Sequence, residues 1–252
     1  MDRMIHLALN SLKTLRVDQR INAQNLANLQ VPGFKKDMPV TRSSGFITAL
    51  DQYNSRVFVT QDDKLRFSSA EGFVERTEED MDFAIRGEGY FYIQPKGGLG
   101  PALSRRGDFS IRPDGGFEDG AGNQVLDNNL QPLNLPQARR IVVMDGGRIV
   151  VEPLNSPEGT QVEAGILAST MAEDADLIKD ADGHIRAVDG GLPAPDQRAK
   201  IVQGSLEKSN VDMLENLLKN IEGQRTFELN IKFIKNAEEL DEAATRIMRL
   251  PG

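Results

Sequence analysis

Apolar residues recur at helical spacing near the start of the chain. Residues 3–29 contain neither glycine nor proline, and most steps between their apolar positions are three or four residues long. This spacing predicts an amphipathic helix, whose apolar face is formed by Ile5, Ala8, Leu12, Leu15, Ala23, Leu26 and Leu29. Val31-Pro32-Gly33 follows and should end the helix, because proline cannot continue it and glycine accepts a reversed backbone.

A second helical pattern covers the C-terminal part of the chain. Residues 211–249 contain a single glycine, Gly223, and no proline, and Ser209 or Asn210 is a suitable N-cap. A helix over these residues would be roughly 58 Å long, so we expect it to pair with another element. Its apolar positions step mostly by three or four: Leu214, Leu217, Ile221, Phe227, Ile231, Ile234, Ala237, Leu240, Ala244 and Ile247.

The middle of the chain, residues 34–204, follows a different pattern. It holds most of the glycine and proline, and its apolar residues alternate or form short runs at 73–74, 81–85, 90–93, 109–111, 141–143 and 148–151. Turn sequences such as Asp119-Gly120 and Asp145-Gly146-Gly147 separate these runs. Short strands divided by such turns indicate an all-β domain built of hairpins, in which residues 155–200 could form a separate lobe.

Together these patterns predict an α+β fold. The long N- and C-terminal helices would form an antiparallel coiled-coil-like domain from residues 1–33 and 205–252, with a mainly-β domain, 34–204, inserted between them. The helices also carry rows of amides, at Asn22, Asn25 and Asn28 and at Asn216, Asn220 and Gln224. Such rows are either a solvated face or a device that fixes register and partner.

Composition excludes several classes of function. The chain of 252 residues has no cysteine, two histidines and a formal charge of −8. It therefore has no thiolate chemistry and no histidine-rich metal site, and its acidity argues against nucleic acid as a main partner. No stretch has the apolar length of a membrane span. The N-terminal residues also lack the apolar core of a cleavable signal peptide, which taken alone predicts a cytoplasmic protein.

Three short motifs are candidates for chemistry, and each has a simpler interpretation. Gly87-Glu88-Gly89 lacks the third glycine and the following helix of a phosphate loop, so a tight turn is favoured. Asp180-Ala181-Asp182-Gly183 resembles part of a calcium loop but lacks its glutamate, so a hairpin turn is favoured. The acidic run Glu78, Glu79, Asp80 and Asp82 would serve acid–base catalysis if one carboxylate were desolvated, but an acidic loop is usually solvated. We therefore predict no catalytic residue, no metal and no cofactor.

Five ordered motifs resemble the axial proteins of the bacterial flagellum, and specifically the flagellar basal-body rod proteins. The first is residues 25–35, NLANLQVPGFK, with Val31 where threonine is usual. The second is residues 82–91, DFAIRGEGYF, and the third is 104–109, SRRGDF, followed by Asp114-Gly115. The fourth is 203–212, QGSLEKSNVD, and the fifth is 224–228, QRTFE. The short path from Phe34 into the β domain is similar to that of proximal-rod members, with distal-rod members as the alternative.

The resemblance implies a structural subunit of the rod, not an enzyme. Such subunits cross the flagellar type III export apparatus without a cleavable signal and polymerise helically in the periplasmic space into the drive shaft that transmits torque to the hook. The implied location replaces the cytoplasmic expectation. The implied partners are other copies of the chain and neighbouring rod proteins. We expect the assembly interface to include Leu26, Asn28, Gly33 and Phe34, together with Leu214, Leu217, Ile221 and Phe227.

Two other classes of function stay open from the residues alone. A β-rich hydrolase with helical ends would use carboxylates such as Glu79 and Asp82 in a cleft. A coiled-coil adaptor or fibre protein would share the assembly properties of a rod subunit and differ in its location.

Overall fold

The computed structural model describes residues 2–38, 65–97, 100–180 and 182–248. The chain divides into two compact units. The helical unit contains the described residues 2–27 and 212–248. The β-rich unit contains residues 28–38 together with the described residues from 65 to 211.

The helical unit contains two helices, α1 (Asp2–Ala27) and α2 (Met213–Met248). Asp212 caps α2, since its Oδ1 accepts a hydrogen bond from the amide of Glu215 at 2.9 Å; Ser209 and Asn210, expected as caps, lie before it. The expected end of this helix at residue 249 lies outside the described residues. Neither described helix is long and apolar enough to cross a membrane.

The two helices run antiparallel and contact each other at a few positions. Asn230 Nδ2 donates to Ser11 Oγ at 3.2 Å. Further along, Gly223 lies beside α1, where an added Cβ would stand 3.6 Å from Cδ1 of Leu15. The chain thus advances from Ser11 to Leu15 on α1 while it runs back from Asn230 to Gly223 on α2.

The predicted coiled-coil-like domain is wrong. The described chain has one N-terminal helix, one C-terminal helix and a mainly β body, without a coiled-coil seam. A coiled coil buries its apolar positions as knobs in the facing helix. In α2, among the residues whose side chains the structure describes, Asn216 alone is buried. Most large apolar side chains of α2 whose burial is described face solvent.

The β-rich unit contains seventeen short strands in its described part. They are β1 (Asp37–Met38), β2 (Arg66–Phe67), β3 (Val74–Arg76), β4 (Phe83–Arg86), β5 (Tyr90–Gln94), β6 (Ala102–Ser104), β7 (Phe109–Ile111), β8 (Phe117–Asp119), β9 (Gln124–Val125), β10 (Ala138–Val143), β11 (Arg148–Pro153), β12 (Val162–Ile166), β13 (Ser169–Thr170), β14 (Leu177–Lys179), β15 (Ile185–Ala187), β16 (Lys200–Gln203) and β17 (Ser205–Glu207). A single 3-10 turn, Asp145–Gly147, separates β10 from β11.

These strands form one large sheet and four small ones, all with antiparallel pairing. The large sheet has the order β14-β15-β6-β5-β9-β8-β7, and β13 pairs with β5. The small sheets are β10-β11-β12, β1-β2, β16-β4 and β17-β3. The last two join strands from the beginning of the unit to strands near its end, so the unit closes on the segments that lead to the two helices.

Strand β5 lies between two hydrophobic cores because both of its faces are buried. Phe91 belongs to the larger core, where it packs edge-on against Phe109 with ring centroids 5.3 Å apart. Tyr90 and Tyr92 point to the other face and pack in a second core with Leu103. Alternation along one strand thus supplies both cores.

Candidate functional site: a buried junction of the terminal segments

The segments that lead to the two helices bond to each other inside the β-rich unit. Pro32 and Gly33 turn the chain after α1, with Gly33 at φ +66°. The amide of Gly33 then donates to the carbonyl of Glu207 at 2.6 Å. Three residues after Gly33, the amide of Lys36 donates to Oδ1 of Asn210 at 2.6 Å. The amide of Asn210 in turn donates to the carbonyl of Phe34 at 3.2 Å. The chain therefore enters and leaves the unit at one place, which we call the junction (residues 33–37, Arg105, Lys179, Glu207 and Asn210).

Glu207 lies at the centre of the junction and is almost completely buried. Its Oε1 accepts from Nζ of Lys35 and from the amide of Gly72, both at 2.8 Å. Its Oε2 accepts from Nε of Arg105 at 2.7 Å. A buried carboxylate requires such donors on both oxygens, because desolvation of an unpaired charge costs several kcal/mol.

The lysine of this group has an unusual environment. Burial lowers the pKa of Lys35, and the nearby guanidinium of Arg105 lowers this pKa further, while Glu207 opposes both effects. Nζ of Lys35 also donates to the carbonyl of Ala70 at 2.9 Å. The charged lysine therefore depends on the carboxylate of Glu207, which comes from the other end of the unit.

Arg105 connects Glu207 to the turn formed by Gly87-Glu88-Gly89. Its Nη1 donates to the carbonyls of Gly87 and Gly89 at 2.7 and 2.8 Å, and its Nη2 donates to the carbonyl of Ile85 at 3.1 Å. The glycines take positive φ angles of 82° and 131°, which favour glycine. The glycine pair thus forms a tight turn held by an arginine, as the sequence predicts.

A second ion pair lies next to the first. Lys179 of β14 binds Asp37 of β1, and both side chains are buried. Nζ of Lys179 also lies 3.9 Å from the centroid of the Phe34 ring, a cation–π contact. Burial lowers the pKa of Lys179, and Asp37 opposes this change. Phe34 and Asp37 are thereby anchored to the large sheet.

The junction is suited to mechanical attachment. It contains three cations and two carboxylates: Lys35, Arg105, Lys179, Glu207 and Asp37. Each cation donates hydrogen bonds to carboxylate or carbonyl oxygens of the protein. Removal of one partner from such a buried group is strongly destabilising. The arrangement therefore holds the segment that follows α1 against the segment that precedes α2.

The acidic candidates of the sequence lie elsewhere. Glu78, Glu79 and Asp80 are exposed, and Asp82, immediately before β4, is half-buried. Asp182 binds the guanidinium of Arg186 at 2.8 Å, and Asp180 lies 3.5 Å from it. An arginine thus holds the place that a cation would take in a calcium-like loop. In the part of the chain that the structure describes, no group of three histidine, aspartate or glutamate side chains could hold a metal ion.

The residues expected at an assembly interface fall into two sets. Gly33 is buried and Phe34 half-buried within the junction, after Leu26 and Asn28, which are half-buried. Leu214, Leu217 and Ile221 are exposed along the first turns of α2, and Phe227 is half-buried. The sequence did not single out Lys35, Arg105 or Glu207 as a group, although each lies inside one of the recognised motifs. Two of these motifs contain other charged residues as well, so nothing in the sequence distinguishes these three.

The exposed apolar residues of α2 form a stripe along most of the helix. Their exposed fractions range from 37% at Leu217 to 67% at Leu214. Steps of seven residues separate Leu214 from Ile221, and Phe233 from Leu240, as in helices that pack on a partner helix. We call this set the α2 stripe: Leu214, Leu217, Leu218, Ile221, Leu229, Phe233 and Leu240. An apolar surface of this extent indicates an interaction site.

Comparison with known proteins agrees with the motifs. Residues 202–247 match the family described as flagellar basal body rod FlgEFG protein C-terminal. The chain is 29% identical to the flagellar basal-body rod protein FlgF of Caulobacter vibrioides over 97% of each chain. It is 26% identical to FlgF of Salmonella typhimurium over 99% of this chain and all of that protein, and 23% identical to FlgG of Bacillus subtilis over 98% and 99%. These matches confirm the resemblance seen in the motifs: the chain is similar to the flagellar basal-body rod proteins, and to FlgF proteins in particular.

Proposed function

We propose that the chain is a structural subunit of the flagellar basal-body rod, which polymerises helically into the drive shaft that transmits torque to the hook. The observation that carries this proposal is the α2 stripe. Burial of apolar surface is worth roughly 25 cal/mol per Å², so a row of exposed leucine, isoleucine and phenylalanine side chains favours association. Neighbours on this stripe would be other copies of the chain and related rod proteins.

The junction suits the same function, because a drive shaft must pass force between its parts. If the α2 stripe binds neighbouring subunits, load on α2 reaches the β-rich unit through residues 208–211. There the ion pairs of Glu207 hold the C-terminal segment to the N-terminal segment and to Arg105. Leu26, Asn28, Gly33, Phe34 and Phe227 stay part of the proposed assembly interface.

A rod subunit in the periplasmic space must leave the cytoplasm. The proposal therefore includes passage through the flagellar type III export apparatus without a cleavable signal peptide. The lack of cysteine is compatible with export in an unfolded state, since no disulfide has to form after export. A structural role of this kind requires neither a cofactor nor a catalytic group.

The relatives support two positions in the rod. FlgF and FlgG proteins both align with nearly the whole chain. The proximal rod is our proposal because the relative at 29% identity is a FlgF and because the short path in the sequence from Phe34 to the β pattern is similar to that of proximal-rod members. The distal rod is the alternative.

Deletion of the gene, followed by imaging of basal bodies and a motility assay, tests the proposal. We expect basal bodies without hooks, and full recovery on return of the unchanged gene. Motile cells with normal hooks would overturn it. A variant with Leu214→Glu and Ile221→Glu should fail to restore hooks, because it places carboxylates in the stripe. A matched variant with Lys219→Glu and Thr226→Glu, at exposed polar positions of α2, should restore them.

A further inference from the structure

Two like charges face each other directly in the small sheet β16-β4. The register pairs Lys200 with Arg86, Ile201 with Ile85, Val202 with Ala84 and Gln203 with Phe83. Directly opposed residues of an antiparallel pair have neighbouring side chains, and like charges there are destabilising. Both side chains are exposed. The ladder therefore ends in a basic pair.

This basic pair has no carboxylate partner among the described residues. Neither Arg86 nor Lys200 forms an ion pair in the described chain, although acidic residues outnumber basic ones by 38 to 30. Glu88, in the turn that follows Arg86, is exposed but does not form an ion pair with Arg86 or Lys200. Like charges placed together on the surface of an acidic protein suggest that an acidic partner neutralises them.

The other end of the same ladder is acidic. The loop before β4 carries Glu79 and Asp80, both exposed and, within the described chain, without an ion pair. The loop is held to the ladder, since Nε2 of Gln203 donates to the carbonyl of Asp80 at 2.7 Å and the amide of Glu78 donates to the carbonyl of Gly204 at 3.1 Å. The two carboxylates are thus presented in a fixed position.

A single copy cannot neutralise its own charges across this ladder. Three strand steps separate Phe83 from Arg86, which is about 10 Å, and the acidic loop lies beyond Phe83. Two copies placed head to tail can bring opposite ends together. Such a contact uses different surfaces on the two partners, so it can repeat from copy to copy and builds an open filament when the rotation between copies does not close.

We propose that Arg86 and Lys200 of one copy dock on the loop that carries Glu79 and Asp80 of a second copy. This contact lies on the β-rich unit and is distinct from the α2 stripe. It deepens the proposed function and rests on it, because it assigns one contact between subunits of the polymer. The attraction gives orientation and partner choice more than affinity, since salt screens exposed charges over about 8 Å at 0.15 M ionic strength.

Disulfide cross-linking between copies tests the contact, because the chain has no cysteine of its own. Cells without the original gene would express two full-length chains together, one with Glu79→Cys and one with Lys200→Cys. Separate chains exclude an intramolecular bond. We expect mild oxidation to give a mixed dimer. The control joins Glu79→Cys with Ser110→Cys, an exposed position on β7, and should give about tenfold less dimer, since a disulfide needs Cα atoms within about 7 Å.

Charge reversal supplies the second arm of the test. Chains with Arg86→Glu and Lys200→Glu should lose hook assembly, and so should chains with Glu79→Lys and Asp80→Lys. A chain that carries all four changes restores opposite charges and should recover motility. Equal dimer in both cysteine pairs, or no recovery in the four-fold variant, would overturn the inference. The proposed function would fail separately, if cells that lack the gene still formed hooks.

Discussion

Nζ of Lys35 and Oε1 of Glu207 lie 2.8 Å apart in the interior of the β-rich unit, although the two residues are 172 positions apart in the chain. Lys35 follows the loop after α1, and Glu207 ends the strand that leads to α2. The pair therefore marks the place where the chain begins and completes the unit. Its loss should affect the β-rich unit as a whole.

Glu207→Gln should destabilise the β-rich unit by about 3–5 kcal/mol, because it leaves Lys35 and Arg105 buried without a carboxylate. Urea unfolding followed by tyrosine fluorescence measures this, since Tyr90 and Tyr92 are buried in the unit and the chain has no tryptophan. The control is Glu75→Gln on the neighbouring strand β3. Glu75 pairs with Lys208 at 2.9 Å in solvent, so its loss should cost at most about 1 kcal/mol. Equal effects would contradict the assigned role of Glu207.

Gly33→Ala should destabilise the unit far more than the same change at another glycine of similar backbone. A Cβ at Gly33 would lie 2.1 Å from the carbonyl oxygen of Arg105, at a φ of +66°. Gly146 has a φ of +74° with nothing within 4 Å of an added Cβ. We expect about 1–2 kcal/mol for Gly146→Ala, from the left-handed backbone alone, and about 2–5 kcal/mol for Gly33→Ala.

The same urea titration measures both glycine variants. If Gly33→Ala cost no more than Gly146→Ala, close packing against Arg105 would not be the reason for glycine at this position.

Local patterns predicted the helices and several strands well. The expected helix over 3–29 is observed as Asp2–Ala27, and that over 211–249 as Met213–Met248 within the described residues. The runs at 90–93 and 148–151 lie in β5 and β11, and the run at 81–85 overlaps β4, which begins at Phe83. These elements depend on spacing between neighbours in the sequence, which a single sequence contains.

Local spacing could not predict whether α1 and α2 form a coiled coil, nor that the junction exists. The spacing of Leu214 and Ile221 shows an apolar stripe but not its partner, and in this chain the stripe stays exposed instead of meeting α1. Lys35, Arg105 and Glu207 come from three distant motifs, and charged residues are usually exposed. Their burial together follows from the pairing of β17 with β3 and the turn at Gly33, which are long-range contacts.

Stability should fall with rising pH between about 10 and about 12 because of Tyr92. Burial raises the pKa of Tyr92 from 10.0 to about 12, so the folded chain keeps a proton that the unfolded chain releases. The neutral phenol stabilises the fold fully below pH 10, and this contribution, at most about 3 kcal/mol, is lost as pH rises through the folded pKa. Urea unfolding across this range measures the slope.

Tyr92→Phe provides the control for the pH dependence. It removes the hydrogen bond from the Tyr92 hydroxyl to the carbonyl of Pro193 at 2.7 Å, which should cost about 1 kcal/mol at neutral pH. Above pH 10 the variant should lose less stability than the unchanged chain. Parallel curves would show that Tyr92 does not cause the alkaline loss.

Asn216→Leu should stabilise the helical unit. Asn216 is buried in the first turns of α2, and its Nδ2 donates to the carbonyl of Asp212 at 2.6 Å. Its Oδ1 is buried without a hydrogen-bond partner, which costs about 1–3 kcal/mol. Leucine has the same branching and number of side-chain heavy atoms, so it should fit the site. Thermal unfolding followed by far-ultraviolet circular dichroism should show a gain of about 1–2 kcal/mol, whereas Asn220→Leu, at an exposed position, should gain only about 0.5 kcal/mol from helix propensity. A loss of stability in Asn216→Leu would mean that the oxygen has a partner in solution, and the amide row would then contribute to the stability of the helical unit.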